Sequence, residues 1–154
     1  MKILVLSVGR PERVRFGPLC DDYAGRIGRF GVDLSVAAVK EVRAEGRYSV
    51  PHALEREARE LRAAIPERSR TIVLDPSGSV LGSETFARRL EGWATPSATF
   101  VVGGPLGLDR GFVADAHASI SLSPMTLPHE IARLVLFEQL YRALTILRGV
   151  PYHK

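Results

Sequence analysis

Five short apolar runs, each followed by a helical or turn-forming stretch, constrain this chain more than any other feature. Residues 2–8 (KILVLSV) are nearly continuously apolar, as a strand covered on both faces must be. Residues 32–39, 71–74, 99–102 and 118–122 read in the same way. Between them the apolar period changes from two to about three and a half. Phe16, Leu19, Cys20, Tyr23, Ile27 and Phe30 recur at three- and four-residue steps and define one face of a helix. After Pro51, suited to a first helical turn, Leu54, Ala58, Leu61 and Ile65 define another. That spacing puts Glu55, Arg56, Glu57, Arg59, Glu60 and Arg62 on a solvated outer face. Ser83 is placed to cap a helix carrying Phe86, Ala87, Leu90 and Trp93, and a short helical turn is expected over 112–116.

Strands alternating with helices predict an α/β fold, a mostly parallel sheet with helices on both faces. The 154 residues are enough for one core. No repeat or linker divides them, so a single domain over 1–154 is expected. The closing helix should run over about 127–147. Leu134, Phe137, Tyr141 and Leu144 share its buried face, and Ile131, Val135, Leu136, Leu140 and Leu147 widen it. That surface is broader than one core contact, which predicts packing on another subunit.

Several function classes are excluded. No run reaches the 18 or so apolar residues of a membrane span. The N-terminus lacks a cleavage-site pattern and reads as a strand. The one cysteine, Cys20, falls on a buried helical face and suits a reducing, cytoplasmic location. His52, His117, His129 and His153 do not form H-x-x-x-H, so no metal is expected. Neither G-x-G-x-x-G after the first strand, nor G-x-x-x-x-G-K-[ST], nor G-x-S-x-G occurs. The net charge of +4 suits a polyanionic partner. Lys40, Arg43 and Arg47, in the irregular stretch 40–49, read either as a solvated connection or as a basic arm for phosphate.

Three unusual turns follow apolar strands: Leu74-Asp-Pro-Ser-Gly78, Gly103-Gly-Pro-Leu-Gly107 and Leu122-Ser-Pro-Met-Thr-Leu-Pro128. In a parallel sheet these strand ends lie on one edge, so the loops can converge on one crevice. The tail, Arg148-Gly-Val-Pro-Tyr-His-Lys154, ends in an aromatic ring, an imidazole and an ammonium. Tyr152 can stack on a base, His153 can move a proton, and Lys154 with Arg142 can meet phosphate. The bland alternative is a solvated tail.

Gly103-Gly-Pro-x-Gly-Leu108, Leu122-Ser-x-Met-Thr-Leu-Pro-His129, Glu138-x-Leu-Tyr-Arg142 and Pro151-Tyr-His153 together closely resemble the RlmH (YbeA-type) large-subunit ribosomal RNA methyltransferases of the SPOUT class. The Leu74-Asp-x-x-Gly78 turn matches too, and the resemblance spans the chain. It implies a C-terminal trefoil knot, which periodicity could not suggest, and a homodimer. It also implies S-adenosylmethionine as cofactor, held by Leu74, Gly103, Gly104, Leu122, Ser123, Pro124, Met125, Thr126, Leu127 and Pro128. The implied reaction is N3-methylation of a pseudouridine in 23S rRNA on the assembled ribosome. Arg142, Tyr152 and His153 are then the expected substrate-side group, reaching across the dimer, with His129 orienting the loop. Pro124 should stiffen that loop, and the terminal carboxylate of Lys154 is expected where relatives often carry an acidic residue. Two rivals stand beside this reading. One is a non-catalytic ribosome- or RNA-binding protein of the same fold, and the other is a SPOUT methyltransferase acting on another RNA.

Overall fold

The computed structural model describes residues 1–46 and 48–154; Arg47 lies outside the described residues. Five strands and five helices alternate: β1 (Lys2–Val8), α1 (Phe16–Gly28), β2 (Asp33–Val39), α2 (Val50–Ala64), β3 (Ser69–Val80), α3 (Ser83–Trp93), β4 (Ser97–Val102), α4 (Arg110–Asp115), β5 (Ala118–Ser121) and α5 (His129–Leu147). The strands form one sheet in the order β2-β1-β4-β3-β5, and every pairing is parallel. All five strands therefore end on the same edge.

The period of two explains the layers. Ile3 and Val5 of β1, Ile72 of β3 and Ala98, Phe100 and Val102 of β4 point to one face, where α1, α3 and α5 cover them. Leu6, Val8, Val73 and Val101 point to the other face, under Ala58 and Leu61 of α2 and Phe112 of α4. Leu136, Leu140 and Phe100 are fully enclosed or nearly so; each such side chain stabilises the fold by about 1.5–3 kcal/mol. Cys20 is enclosed as well. Among the described residues no helix is long and apolar enough to cross a membrane.

Some expectations fail locally. Asp75-Pro-Ser-Gly78 does not form a turn between elements. It lies inside β3, which runs on to Val80 through a register shift between Leu74 and Ser79 against β5. Residues 75–78 themselves have no partner on β5; they form a bulge between Leu74 and Ser79, which both pair with Ile120, and the Ser77 amide donates to Asp75 Oδ1 within it. Ser83 is not a cap; it is the first helical residue of α3, after Gly82, and its hydroxyl donates to Gln139 Oε1 on α5 at 2.8 Å. Glu57 is not on the solvated face. It is 3% exposed, accepts a bond from the Val42 amide at 2.8 Å, and burial with nearby Glu41 pushes its carboxyl up. Leu19 is half exposed rather than buried, and Leu54 yields the deepest position on α2 to Ala53. Helix α5 begins at His129, two residues later than expected, and β5 ends at Ser121.

A candidate small-molecule cavity and an aromatic-cationic tail

At the ends of β3, β4 and β5 the sheet edge opens into a cavity of about 660 Å³, a size that suits a small organic ligand. Leu74 and Pro76 of β3 form one wall. Val102, Gly103, Gly104, Pro105 and Gly107 form a second, and Ser121, Leu122, Ser123, Met125, Thr126, Leu127, Pro128, His129 and Ala132 close the rest. The loop after β4 is folded tightly: the Gly107 amide donates to Gly104 O at 3.0 Å. Gly107 has φ +80°, which a side chain would strain. A Cβ on Gly103 would meet Gly107 O at 2.9 Å, and one on Gly104 would meet Val8 Cγ1 at 2.9 Å. The glycines thus bring main chain to the cavity surface where no side chain fits.

The β3 wall is held from behind. Asp75 is 5% exposed and accepts from Ser77 N at 2.9 Å, from the Ser77 hydroxyl and from the Arg110 guanidinium. Burial pushes its carboxyl up, but Arg110 and Ser77 outweigh burial and hold it below the usual carboxylate range. Gly78 lies against the main chain of β5, since a Cβ there would sit 2.7 Å from Ile120 N. After β5, Ser121 Oγ donates to Ser123 O at 2.8 Å, and the Met125 amide donates to Ser123 Oγ at 2.9 Å. These bonds shape the loop before α5.

Of the ten residues expected around a cofactor, nine line this cavity; Pro124 does not. His129 lines it too, with Nε2 3.6 Å from Glu130 Oε1. Val102, Ser121 and Ala132 line it without having been expected, whereas Pro76, Pro105 and Gly107, also outside the expected ten, lie within the unusual turns themselves. Adjacency to those turns was the available signal for Val102 and Ser121, but not for Ala132, whose place depends on where α5 starts. Among the described residues, no group of three or more metal-ligating side chains comes together.

Arg142, Tyr152 and His153 gather elsewhere, around Glu138. The chain turns after α5 and lays Tyr152 on the helix, 4.8 Å from the Tyr141 ring centroid and edge-on to it. Tyr152 Oη donates to Glu138 Oε1 at 3.1 Å. Arg142 donates to the same oxygen from Nε at 2.9 Å and Nη2 at 2.6 Å. Its guanidinium carbon lies 4.7 Å from the Tyr152 ring centroid, and Nη1 donates to His153 Nδ1 at 3.4 Å. His153 Nε2 stands 3.9 Å from Glu84 Oε1 on α3. Burial, with bonds to Tyr23 and Glu138, pushes the Tyr152 phenol up to about 12. The Glu138 carboxylate raises Arg142 as well. Glu138, which the sequence shows only as the start of the Glu138-x-Leu-Tyr-Arg142 motif, is thus the anchor of the tail. Its position is nine residues beyond His129, roughly 13 Å along the helix axis. The structure therefore separates two groups: His129 with the cavity, and Arg142, Tyr152 and His153 with the tail.

A family model described as a predicted SPOUT methyltransferase matches residues 1–153. Proteins named ribosomal RNA large subunit methyltransferase H are similar over their full length. One from a strain of Anaeromyxobacter is 41% identical, with all of both chains covered. One from Gemmatimonas aurantiaca is 41% identical with the same coverage. One from Delftia acidovorans is 40% identical, covering all of this chain and 99% of its own.

Proposed function

The chain belongs to the SPOUT methyltransferase family, beside the ribosomal RNA large subunit methyltransferases H; from that premise we propose that it methylates N3 of a pseudouridine in 23S rRNA. S-adenosylmethionine is the methyl donor, and the substrate is the assembled ribosome in the cytoplasm. The observation that carries this reading is the cavity at the ends of β3, β4 and β5, with main chain exposed at Gly103 and Gly104.

The residues present fit that donor. The glycines leave a flat main-chain surface whose amides and carbonyls can read a heterocycle, and Leu74, Leu122 and Leu127 supply apolar walls. Among the described residues that line the cavity there is no lysine or arginine, so nothing with a fixed positive charge repels a sulfonium. When bound, S-adenosylmethionine supplies an electrophilic methyl group. The rest of the catalysis falls to positioning. Leu74, Gly103, Gly104 and the 122–128 loop hold the donor and exclude water, and His129 orients the loop at the helix start.

The N3 proton has to leave the base. Tyr152 keeps its own proton to about pH 12, so it stacks and positions rather than acting as a base at neutral pH. His153 takes the proton at Nδ1 once Arg142 Nη1, which donates to that nitrogen while no substrate is bound, gives up the bond. Because the tail lies roughly 13 Å from the helix start, a second copy of the chain in a homodimer brings its tail to each donor cavity. The single SPOUT domain, residues 1–154, carries the trefoil knot of its class.

Ribosomes incubated with the protein and labelled S-adenosylmethionine, followed by mass-spectrometric mapping, test this. Label on a 23S pseudouridine is the expected result. Label in tRNA, or none in 23S rRNA, overturns it. Calorimetry with no heat of donor binding would leave the non-catalytic RNA binder.

A further inference from the structure

Arg133, in the second turn of α5, is a buried cation whose one carboxylate neighbour on the helix, Glu130, stands at ion-pair distance with its Oε2 making no hydrogen bond. It is 5% exposed, and its Nε and Nη1 make no hydrogen bond. Glu130 Oε2 is 3.6 Å from Nη1, beyond hydrogen-bond reach, while Glu130 Oε1 accepts from the Glu12 amide at 3.1 Å. The guanidinium carbon lies 5.5 Å from the Phe137 ring centroid. A guanidinium taken out of water without full acceptors is strongly disfavoured, so an acceptor that arrives from outside gains more here than at the surface.

Such an acceptor has room. Arg133 lines a cavity of about 500 Å³, walled by Pro11 and Arg13 of the β1–α1 loop, Gly17 of α1 and Ala37 of β2. Two other carboxylates border this space. Glu12 is already engaged: it accepts from the amides of Val14 at 2.7 Å, Arg15 at 2.9 Å and Phe16 at 2.8 Å, and the bond from Phe16 leads the group that holds its pKa low. Asp21 is exposed on α1. The β1–α1 loop carries three exposed arginines, Arg10, Arg13 and Arg15, of which Arg13 lines the space. His129, which lines the cavity at the strand ends, stands 3.6 Å from Glu130, the residue paired with Arg133.

We propose that this second cavity is an anion site that takes a backbone phosphodiester of the RNA substrate, with Arg133 and Arg13 lining it and Arg10 and Arg15 exposed on the same loop. The proposal rests on the RNA reading above. A planar guanidinium fork matches phosphate oxygens in pairs. Three further arginines exceed what one isolated carboxylate needs and suit the neighbouring charges of a polyanion.

The test compares Arg133→Gln and Arg133→Lys with the unchanged protein. Ribosome binding without donor is measured by filter retention across a range of KCl, alongside ribosome KM, kcat and donor affinity. Arg133→Gln is expected to weaken ribosome binding about tenfold and to lower the salt slope by about one, with Arg133→Lys intermediate. Unchanged affinity and slope would overturn the proposal, as would a fall to monomer in sedimentation, because the missing acceptor would then belong to a second copy. Should Arg133→Gln lose its fold, Arg10→Ala with Arg13→Ala on the exposed loop answers the same question, and an unchanged slope again refutes. Unchanged protein that binds ribosomes with an Arg133-dependent slope, yet transfers no methyl group, would refute the reaction and keep the anion site.

Discussion

Tyr152 Oη donates to Glu138 Oε1 at 3.1 Å, although fourteen positions separate the two residues along the chain. Arg142 shares that oxygen, so one carboxylate fixes both an aromatic ring and a guanidinium. Glu138→Ala should release both. Misplacement of positioning groups by about an ångström can cost on the order of a hundredfold in rate. Methyl transfer to ribosomes is expected to fall by about that factor, with donor affinity measured by calorimetry little changed. Equal loss of both would make Glu138 a structural residue.

The glycine pair gives a paired prediction. Gly104→Ala places a Cβ 2.9 Å from Val8 Cγ1, so it should weaken donor binding about tenfold by shifting the loop. Val8→Ala removes the obstructing methyl groups and should restore much of the affinity in the double variant. Gly103→Ala meets main chain at Gly107 instead, and no side-chain truncation should rescue it. Additive losses in the first pair would show that the contact is not the cause.

What was legible in the sequence, and what was not, follows a physical division. Strands such as Lys2–Val8 and Ser97–Val102 are apolar on both faces because both faces are covered, so the pattern declares itself. The converging loops were legible because parallel strands place their ends on one edge. Asp75–Gly78 was legible as a local turn but not as part of a longer strand, because Leu74 and Ser79 on either side of it both pair with Ile120 of β5 and carry β3 on to Val80. Glu57 and Arg133 were not, because helical spacing cannot tell a charged residue in a buried stripe from one on the outside. Only packing of the Val42 amide over Glu57, and of α1 over α5, puts them inside. The fold-back of the tail was open in the sequence, since a short polar terminus carries no periodic signal.

Glu57 predicts a gain rather than a loss. Its carboxyl is buried, and burial together with Glu41 raises its pKa in the folded state. The neutral form is therefore favoured on folding, and stability declines as pH rises from the unfolded value of about 4.3 through the folded one. Glu57→Gln keeps an acceptor for the Val42 amide without the charge. It should unfold at a higher temperature than the parent at pH 7, by the equivalent of about 1 kcal/mol, and the gap should close near pH 4. A parent as stable as the variant at pH 7 would refute the burial argument.

Tyr152 carries the same sign of pH dependence to the alkaline end. Its folded value of about 12 lies above the ordinary phenol value of about 10. The stability this group contributes is present below pH 10 or so and is lost as pH rises through the folded value. Ultraviolet difference titration of the parent against Tyr152→Phe should show one phenol with a midpoint near 12. A midpoint near 10 would mean that the tail is not packed on Glu138 in solution.

The last prediction concerns which chain supplies the tail. Removing Tyr152 to Lys154 should abolish transfer and leave donor binding largely intact, whereas Gly103→Ala should abolish donor binding and leave the tail in place. Each protein alone is then inactive. If donor and tail meet across a two-fold dimer, a mixed dimer contains one complete site, built from the donor cavity of the truncated chain and the tail of the Gly103→Ala chain. Co-refolding the two in equal amounts should restore roughly a quarter of parental activity, since about half the dimers are mixed and each holds one of two sites. A donor site completed by its own tail leaves every mixed dimer with both sites broken, so the mixture stays inactive. Along α5, the separation of His129 from Glu138 favours the first outcome, because the tail has already turned back and is bound two and a half turns short of the cavity.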